Sequence, residues 1–192
     1  MAKALLISPS YFIFLVFLIF SYATIPVFGE EYSYVKTIDL EKMNLPKEKV
    51  THFQLYWQDV VSGSNATSVT VIEALNNSTF FGSVNIIDNS LTVGPNLSSK
   101  TVGKSQGLYA STGLEESSLL MVMNFAFTDG KYNGSTFTVV GRNNVNAEVR
   151  EMPIIGGSGL FRFARGYVLA STYSFSDNGD GTIEYNCYVI HH

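Results

Sequence analysis

From residue 50 to its end the chain alternates apolar and polar positions with period two, and nothing else constrains its fold as much. The alternation predicts strands over Val50–Val61, Thr67–Ala74, Phe81–Ile87, Thr101–Ser111, Ser118–Thr128, Ser135–Gly141, Val149–Ile155, Phe161–Tyr173 and Thr182–Ile190. Between these runs stand Ser62-Gly-Ser-Asn, Asn76-Asn-Ser-Thr, Asp129-Gly, Asn133-Gly, Gly156-Gly-Ser-Gly and Asp177-Asn-Gly-Asp-Gly, all turn chemistries for antiparallel hairpins. No helical period of useful length follows the N-terminal segment. Eight or nine strands with short links in one small domain make a sandwich or a closed barrel. A barrel removes exposed edges, which matters for strands this long, but alternation alone leaves both open.

Two runs carry more than alternation. In Phe163–Tyr173 one face is large (Phe163, Arg165, Tyr167, Leu169, Tyr173) and the other small (Ala164, Gly166, Val168, Ala170). In Ser118–Thr128 both faces are apolar: Leu119, Met121, Met123 and Phe125 against Leu120, Val122 and Phe127. A strand buried on both sides in an antiparallel fold without helices needs a partner subunit, so a homo-oligomer packed through sheet faces is expected.

Residues 1–29 read as a signal peptide. Lys3 precedes the apolar run Tyr11–Tyr22, and Val27 and Gly29 supply small residues for cleavage before Glu30. Stretched to Phe28, the run is marginal for a membrane anchor, and Pro26 favours cleavage. Sequons at Asn65, Asn76, Asn77, Asn96 and Asn133 agree with secretion and mark surface turns, although Asn76 and Asn77 overlap. Residues 30–49 are a polar, mobile arm, and 50–192 form one domain. The expected location is extracellular.

The net charge of −4 is of mixed sign, and the absence of a basic stripe argues against nucleic acid. With three histidines and no metal-binding motif, neither a metal nor a Ser/His/Asp triad is expected, and no cofactor is implied. The single cysteine, Cys187, permits no intrachain disulfide and reads as a packed small hydrophobe.

Polar groups on apolar faces point to chemistry. Arg150 shares a face with Met152 and Ile154, and Arg165 with Phe163, Tyr167 and Leu169. A guanidinium there is costly unless it is paired, hydrogen-bonded or lining a wet cavity. Phe53, Leu55, Trp57 and Asp59 also share a face. Burial would push the Asp59 carboxyl up unless Arg150 or Arg165 pairs with it, or Asp59 simply starts the turn at Val60-Val61-Ser62-Gly63. Tyr109 either packs or donates to a ligand oxygen, and Gly107 beside it allows a close approach. Asp88 reads as the start of a turn over Asp88–Thr92. Gly156-Gly-Ser-Gly reads as a hairpin turn, since no helix follows to make it a phosphate loop. The residues alone describe a secreted all-β protein with a pocket of aromatic, acidic and guanidinium groups.

The stretch Val149–Tyr167 (VREMPIIGGSGLFRFARGY) resembles the plant dirigent family. So do Gln58–Gly63 (QDVVSG), Leu91–Pro95 (LTVGP), Ser98–Tyr109 (SSKTVGKSQGLY) and Leu120–Thr128 (LMVMNFAFT). The resemblance implies an eight-stranded antiparallel β-barrel similar to allene oxide cyclase, assembled as a trimer. It implies a protein that binds phenoxy radicals or quinone methides and sets the stereochemistry of coupling in lignan and phenylpropanoid biosynthesis. An external oxidase such as a laccase makes the radicals, and the protein does no redox chemistry.

By position, the resemblance makes Asp59 and Arg150 catalytic, with Tyr109 in the pocket. Asp59 would protonate a quinone methide or shuttle the phenol proton. Arg150 and Tyr109 would hold phenolic oxygens. Trp57, Asn143 and Arg165 complete the expected substrate contacts. The chain departs from pinoresinol-forming members at Asn143, where they carry a second aspartate, at Gln58, where they carry histidine, and at Ser111, where they carry tyrosine. Those departures leave room for a ring-closing quinone-methide cyclase similar to pterocarpan synthases, or for a wall-associated defence protein that only binds.

Overall fold

The alternating runs fold into nine strands: β1 (Lys49–Asp59), β2 (Ser68–Ile72), β3 (Val84–Thr92), β4 (Thr101–Ser111), β5 (Ser118–Phe127), β6 (Thr136–Asn144), β7 (Arg150–Ser158), β8 (Arg165–Phe175) and β9 (Gly181–His191). The computed structural model describes residues 34–192, together with Ser10, Tyr11, Ile13, Phe14 and Phe17. The expected signal-peptide cleavage point falls outside the described residues, as does most of the apolar run before it. Residues up to Asn44 form a unit separate from the barrel, and the barrel unit begins at Leu45. In the first unit Asp39 caps a short 3-10 turn, Leu40–Met43, by accepting from the Glu41 N–H.

All neighbouring strands pair antiparallel in the order β1-β9-β8-β7-β6-β5-β4-β3, and β3 returns to pair with β1, closing an eight-stranded barrel. The short β2 continues beyond the end of β1, pairing with the first half of β3 while β1 takes the second half. Closure settles the choice between sandwich and barrel.

The pleat then sorts side chains. Leu55, Trp57, Met121, Met123, Phe125, Phe137, Val139, Met152, Ile154, Val168, Ala170, Tyr185 and Cys187 face inward and are buried. One end of the barrel, here the lower, is plugged by rings. Phe53, Phe127, Tyr132, Phe137 and Phe161 meet at centroid separations of 5.0–6.1 Å, a range in which edge and tilted contacts add to burial. His191 seals the plug, bonding Thr51 Oγ1 and the Leu160 carbonyl at 2.9 Å each. The interior opens at the other end.

Two expected turns are strand. Asp88–Thr92 belongs to β3, because pairing with β4 and then β1 satisfies its backbone. Asp88 is exposed and accepts from the Gln106 amide. Gly156–Ser158 extends β7, and the turn is a 3-10 segment at Gly159–Phe161. At Gly157 a Cβ would lie 2.5 Å from the Thr136 carbonyl oxygen and 2.6 Å from that of Phe161, so only glycine lets these backbones meet. Gly107, with φ +155°, similarly faces the Val122 carbonyl, so it serves a close approach of backbone rather than of a ligand.

The outer surface carries an apolar row. Val69, Ile86, Leu108, Val122 and Val140 lie in cross-strand register over β2–β6. Ile86 and Val69 are about half exposed, and Leu120 beside the row is 40% exposed.

Candidate active site

At the open end the barrel encloses a cavity of about 560 Å³. Trp57, Leu119, Met121, Ile183 and Tyr185 form its apolar walls, and Val61, Phe80 and Phe175 stand at its rim. Of the expected contacts, Trp57, Asp59, Tyr109, Asn143 and Arg150 all line it.

Asp59 is the last residue of β1, and its carboxyl points inward at 8% exposure. Strand pairing assembles its partners: Gln58 opposite Ser90 brings Asn89 alongside, and Ser68 opposite Ile87 brings in the start of β2. The Asn89 side-chain N–H donates to Asp59 Oδ1 at 2.9 Å, and the Thr67 hydroxyl donates to Asn89 Oδ1 at 2.5 Å. Ser68 Oγ lies 3.0 Å from the Tyr109 hydroxyl. Burial pushes the Asp59 carboxyl above the usual carboxylate range, the Asn89 bond and the nearby Ser68 hydroxyl pull against it, and the charge of Asp180 adds to the rise. The Tyr109 phenol is pushed up to about 12, first by burial and then by Asp59.

Arg150 opens β7 across the cavity and is 6% exposed. Its Nη1 donates to Thr172 Oγ1 at 2.8 Å and to the Ala147 carbonyl at 3.3 Å. Burial lowers its pKa, and Tyr185 opposes that fall, but a guanidinium stays charged throughout. The buried Tyr185 phenol is pushed far up, so it remains neutral.

Three buried atoms of the cavity lining have no protein partner: Trp57 Nε1, Arg150 Nε and Asn143 Oδ1. Each such group is a cost to the fold.

The expected pairing of Asp59 with an arginine does not occur. Arg150 bonds Thr172, and Arg165 lies on the outer face of β8 in a two-pronged pair with Glu48, outside the cavity lining. Arg165 thus lies away from the cavity lining, and neither arginine forms a buried ion pair. The large face of β8 points out because Ala170 stands opposite Tyr185, whose ring takes the interior space. Cys187 is fully buried, and burial pushes its thiol up and leaves it inert. Sequence reading missed Ser68, Asn89, Thr67, Thr172 and Tyr185. For Asn89 the misleading signal was its turn-like neighbourhood, and for Tyr185 the inward parity it shares with Cys187 was the signal available.

The dirigent-like protein family model matches residues 50–190. Dirigent protein 7 of Arabidopsis thaliana is 56% identical over 83% of this chain and 87% of its own length. Pterocarpan synthase 1 of Glycyrrhiza echinata is 45% identical over 83% of this chain and 88% of its own. The solved structure of the pterocarpan synthase dirigent protein GePTS1 superposes with a TM-score of 0.74 at 43% identity, covering 82% of this chain and 89% of that one.

Proposed function

This chain belongs to the dirigent family, and we propose that within it the protein closes a ring on a hydroxy-isoflavan by dehydration through a quinone methide, a reading that the pterocarpan synthases among its relatives support by their name. The carrying observation is the buried Asp59 carboxyl, whose pKa burial raises so that it holds a proton more readily than an ordinary carboxylate, in a cavity that Tyr109, Asn143 and Arg150 also line. The acid proton goes to the leaving hydroxyl, which departs as water, while a phenol on the ligand gives its proton to water at the cavity mouth and becomes the quinone methide. A second phenolic oxygen attacks the exposed carbon, its proton returns to the carboxylate, and the quinone methide oxygen takes a proton back from water. Arg150 stabilises negative charge on that oxygen, and Asn143 Oδ1 accepts from a phenolic hydroxyl. The walls hold both rings in one relative orientation, which sets the handedness of the new bond.

A second reading is stereoselective coupling of coniferyl-alcohol-type radicals made by an external laccase. Its support is the broad apolar rim at Val61, Phe80 and Phe175, which gives two separate phenols a way in. Chiral chromatography of products from a hydroxy-isoflavan and from coniferyl alcohol, each with and without laccase, separates the two. Turnover of the isoflavan without oxidase supports the cyclase. Enantiomeric excess from coniferyl alcohol only with laccase overturns it in favour of coupling. Ligand retention without any product leaves the wall-associated binding role.

The remaining expectations are part of the same proposal. The protein is secreted to the cell wall, and it assembles as a trimer or dimer through the apolar row on β2–β6. N-glycans sit on exposed Asn65, Asn77, Asn96 and Asn133. Asn76 is the poorer acceptor of the overlapping pair, because its side chain already accepts from the Thr79 N–H and hydroxyl.

A further inference from the structure

The ladder between β1 and β9 ends at the pair Asp59 and Gly181, and the residue before Gly181 carries the connection on with its side chain. Asp180 Oδ1 accepts from the Val61 N–H at 2.9 Å and from the Ser62 N–H at 3.0 Å, and Oδ2 accepts from the Ser62 hydroxyl at 2.9 Å. Two consecutive backbone N–H groups converging on one oxygen make a small anion nest. The Ser62 hydroxyl holds the Asp180 carboxyl below the usual range, against a rise from burial, and the two N–H groups add to that fall, so the carboxylate stays charged. Hydrogen bonds to an ionised acceptor are about twice as strong as neutral ones.

Asp180 is itself fixed by the turn at 176–180. The Ser176 N–H donates to its carbonyl at 2.9 Å, its own N–H donates to Ser176 Oγ at 3.2 Å, and Gly179 takes the φ of +88° that the turn requires. The loop at 60–67 is closed on its far side by the Val60 carbonyl, which accepts from the Thr67 and Ser68 N–H groups. Asp180 thus ties together two preformed pieces, and both line the cavity: Val61 from one, Phe175 and Gly179 from the other. They are in contact there, since a Cβ on Gly179 would lie 3.3 Å from Val61 Cγ2. The Phe175 ring lies over Gly181, where a Cβ would be 3.1 Å from Cε1 and Cζ.

From this geometry we infer that Asp180 is a specificity-determining positioning residue: it latches the loop at 60–67 to the β8–β9 turn, and the latch sets how bulky a molecule passes the cavity mouth beside Val61, Phe175 and Phe80. The latch rests on the cavity being the ligand site, as proposed above, and not on which reaction follows there. Closed, the mouth suits a flat aromatic ring. Released, it admits bulkier molecules and grips the ring less.

Trp57 is the chain's only tryptophan, is 4% exposed and lines the cavity, so its emission reports what passes the mouth without any turnover. Quenching by acrylamide and by the bulkier succinimide, both uncharged, is compared in wild type, D180A, D180N, S62A and D177A, with far-UV circular dichroism as the check on folding. D180A should raise the succinimide quenching constant roughly threefold and the acrylamide constant less, so that the two converge. D180N, whose amide oxygen still accepts from both N–H groups, should stay near wild type, S62A should fall between, and D177A in the same turn should change nothing. With a hydroxy-isoflavan, D180A should raise KM roughly fivefold with kcat within about threefold, and D180N should restore KM. Unchanged quenching in D180A overturns the latch, as does an equal rise for both quenchers, a rise of the same size in D177A, or D180N as open as D180A. If the wild type turns over no isoflavan, the proposed reaction fails and the quenching alone decides the latch.

Discussion

Asp59 and Arg150 line one cavity and do not form an ion pair. Each is held by neutral partners instead: Asp59 by Asn89, Arg150 by Thr172 and the Ala147 carbonyl. A direct pair would have pulled the carboxyl down and cancelled both charges. Kept apart, one group can remain an acid while the other remains a free cation.

The separation makes Asp59 a cost to the fold at neutral pH. Its folded pKa lies above the ordinary value of 3.8, so the folded state binds this proton more tightly than the unfolded one. The resulting stability is fully present below that ordinary value and is lost as pH rises through the folded pKa. D59N, which cannot ionise, should therefore melt higher than wild type at pH 7, by roughly 2–4 °C for each kcal/mol recovered. The difference should shrink as pH falls toward 4, as scanning calorimetry across that range would show. The same variant should lose about 10²- to 10⁴-fold in kcat, and wild-type kcat should fall as pH rises through the raised pKa.

Arg150 needs the geometry of its fork as well as its charge. Thr172 and the Ala147 carbonyl both take Nη1, so the fork is anchored at that nitrogen. R150A should lower kcat/KM roughly 10- to 100-fold, the value of a charged hydrogen bond, and R150K should recover little of it because an ammonium cannot span both partners. T172V, which only loosens the guanidinium, should cost about threefold to tenfold. Steady-state kinetics of the three variants gives the order, and full activity in R150K would remove the fork argument.

Alternation made the strands legible, and it placed Trp57, Asp59 and Arg150 correctly on shared faces with apolar residues. It cannot say which face is inside, since parity is a property of one strand and the interior is a property of the closed sheet. Arg165 shows the consequence. Its grouping with Phe163 and Tyr167 holds, yet all three face outward because Tyr185 from β9 fills the space inside β8. Asn89 shows a second limit. Asp-Asn-Ser is turn chemistry locally, and only pairing with two other strands and the bonds to Thr67 and Asp59 make it strand.

The outward position of Arg165 has a direct consequence for activity. Its pair with Glu48 is exposed on both sides, at 57% and 40%, and solvent screens it. R165A and R165E should leave kcat and KM within about twofold of wild type, in contrast to the losses at Arg150. A tenfold change in either constant would show that the exterior of β8 takes part in the reaction.

The apolar row on β2–β6 should hold the oligomer together. A charge placed in it must be desolvated on assembly, which costs several kcal/mol at each buried ion. I86K combined with L120K should convert the oligomer to monomer in sedimentation velocity at micromolar concentration, with unchanged far-UV circular dichroism. A monomeric wild type, or an oligomer untouched by both lysines, would exclude this face.

Asn143 lies where the pinoresinol-forming pattern has a second acid, and its buried Oδ1 is without a protein partner. An amide there accepts from a ligand hydroxyl but supplies no proton. N143D adds an acid to the same cavity as Arg150 and Asp59, with a change of only one atom in the side chain. A second acid can serve a second quinone methide, and two quinone methides are what coupling of two phenols produces. Laccase-driven coupling of coniferyl alcohol in the presence of N143D should therefore give an enantiomeric excess above that with wild type, read by chiral chromatography. Its dehydrative ring closure should fall, because the aspartate competes with the ligand oxygen for Arg150. Racemic coupling product with wild type and N143D alike, together with unchanged ring closure, would show that residue 143 does not set the choice of reaction.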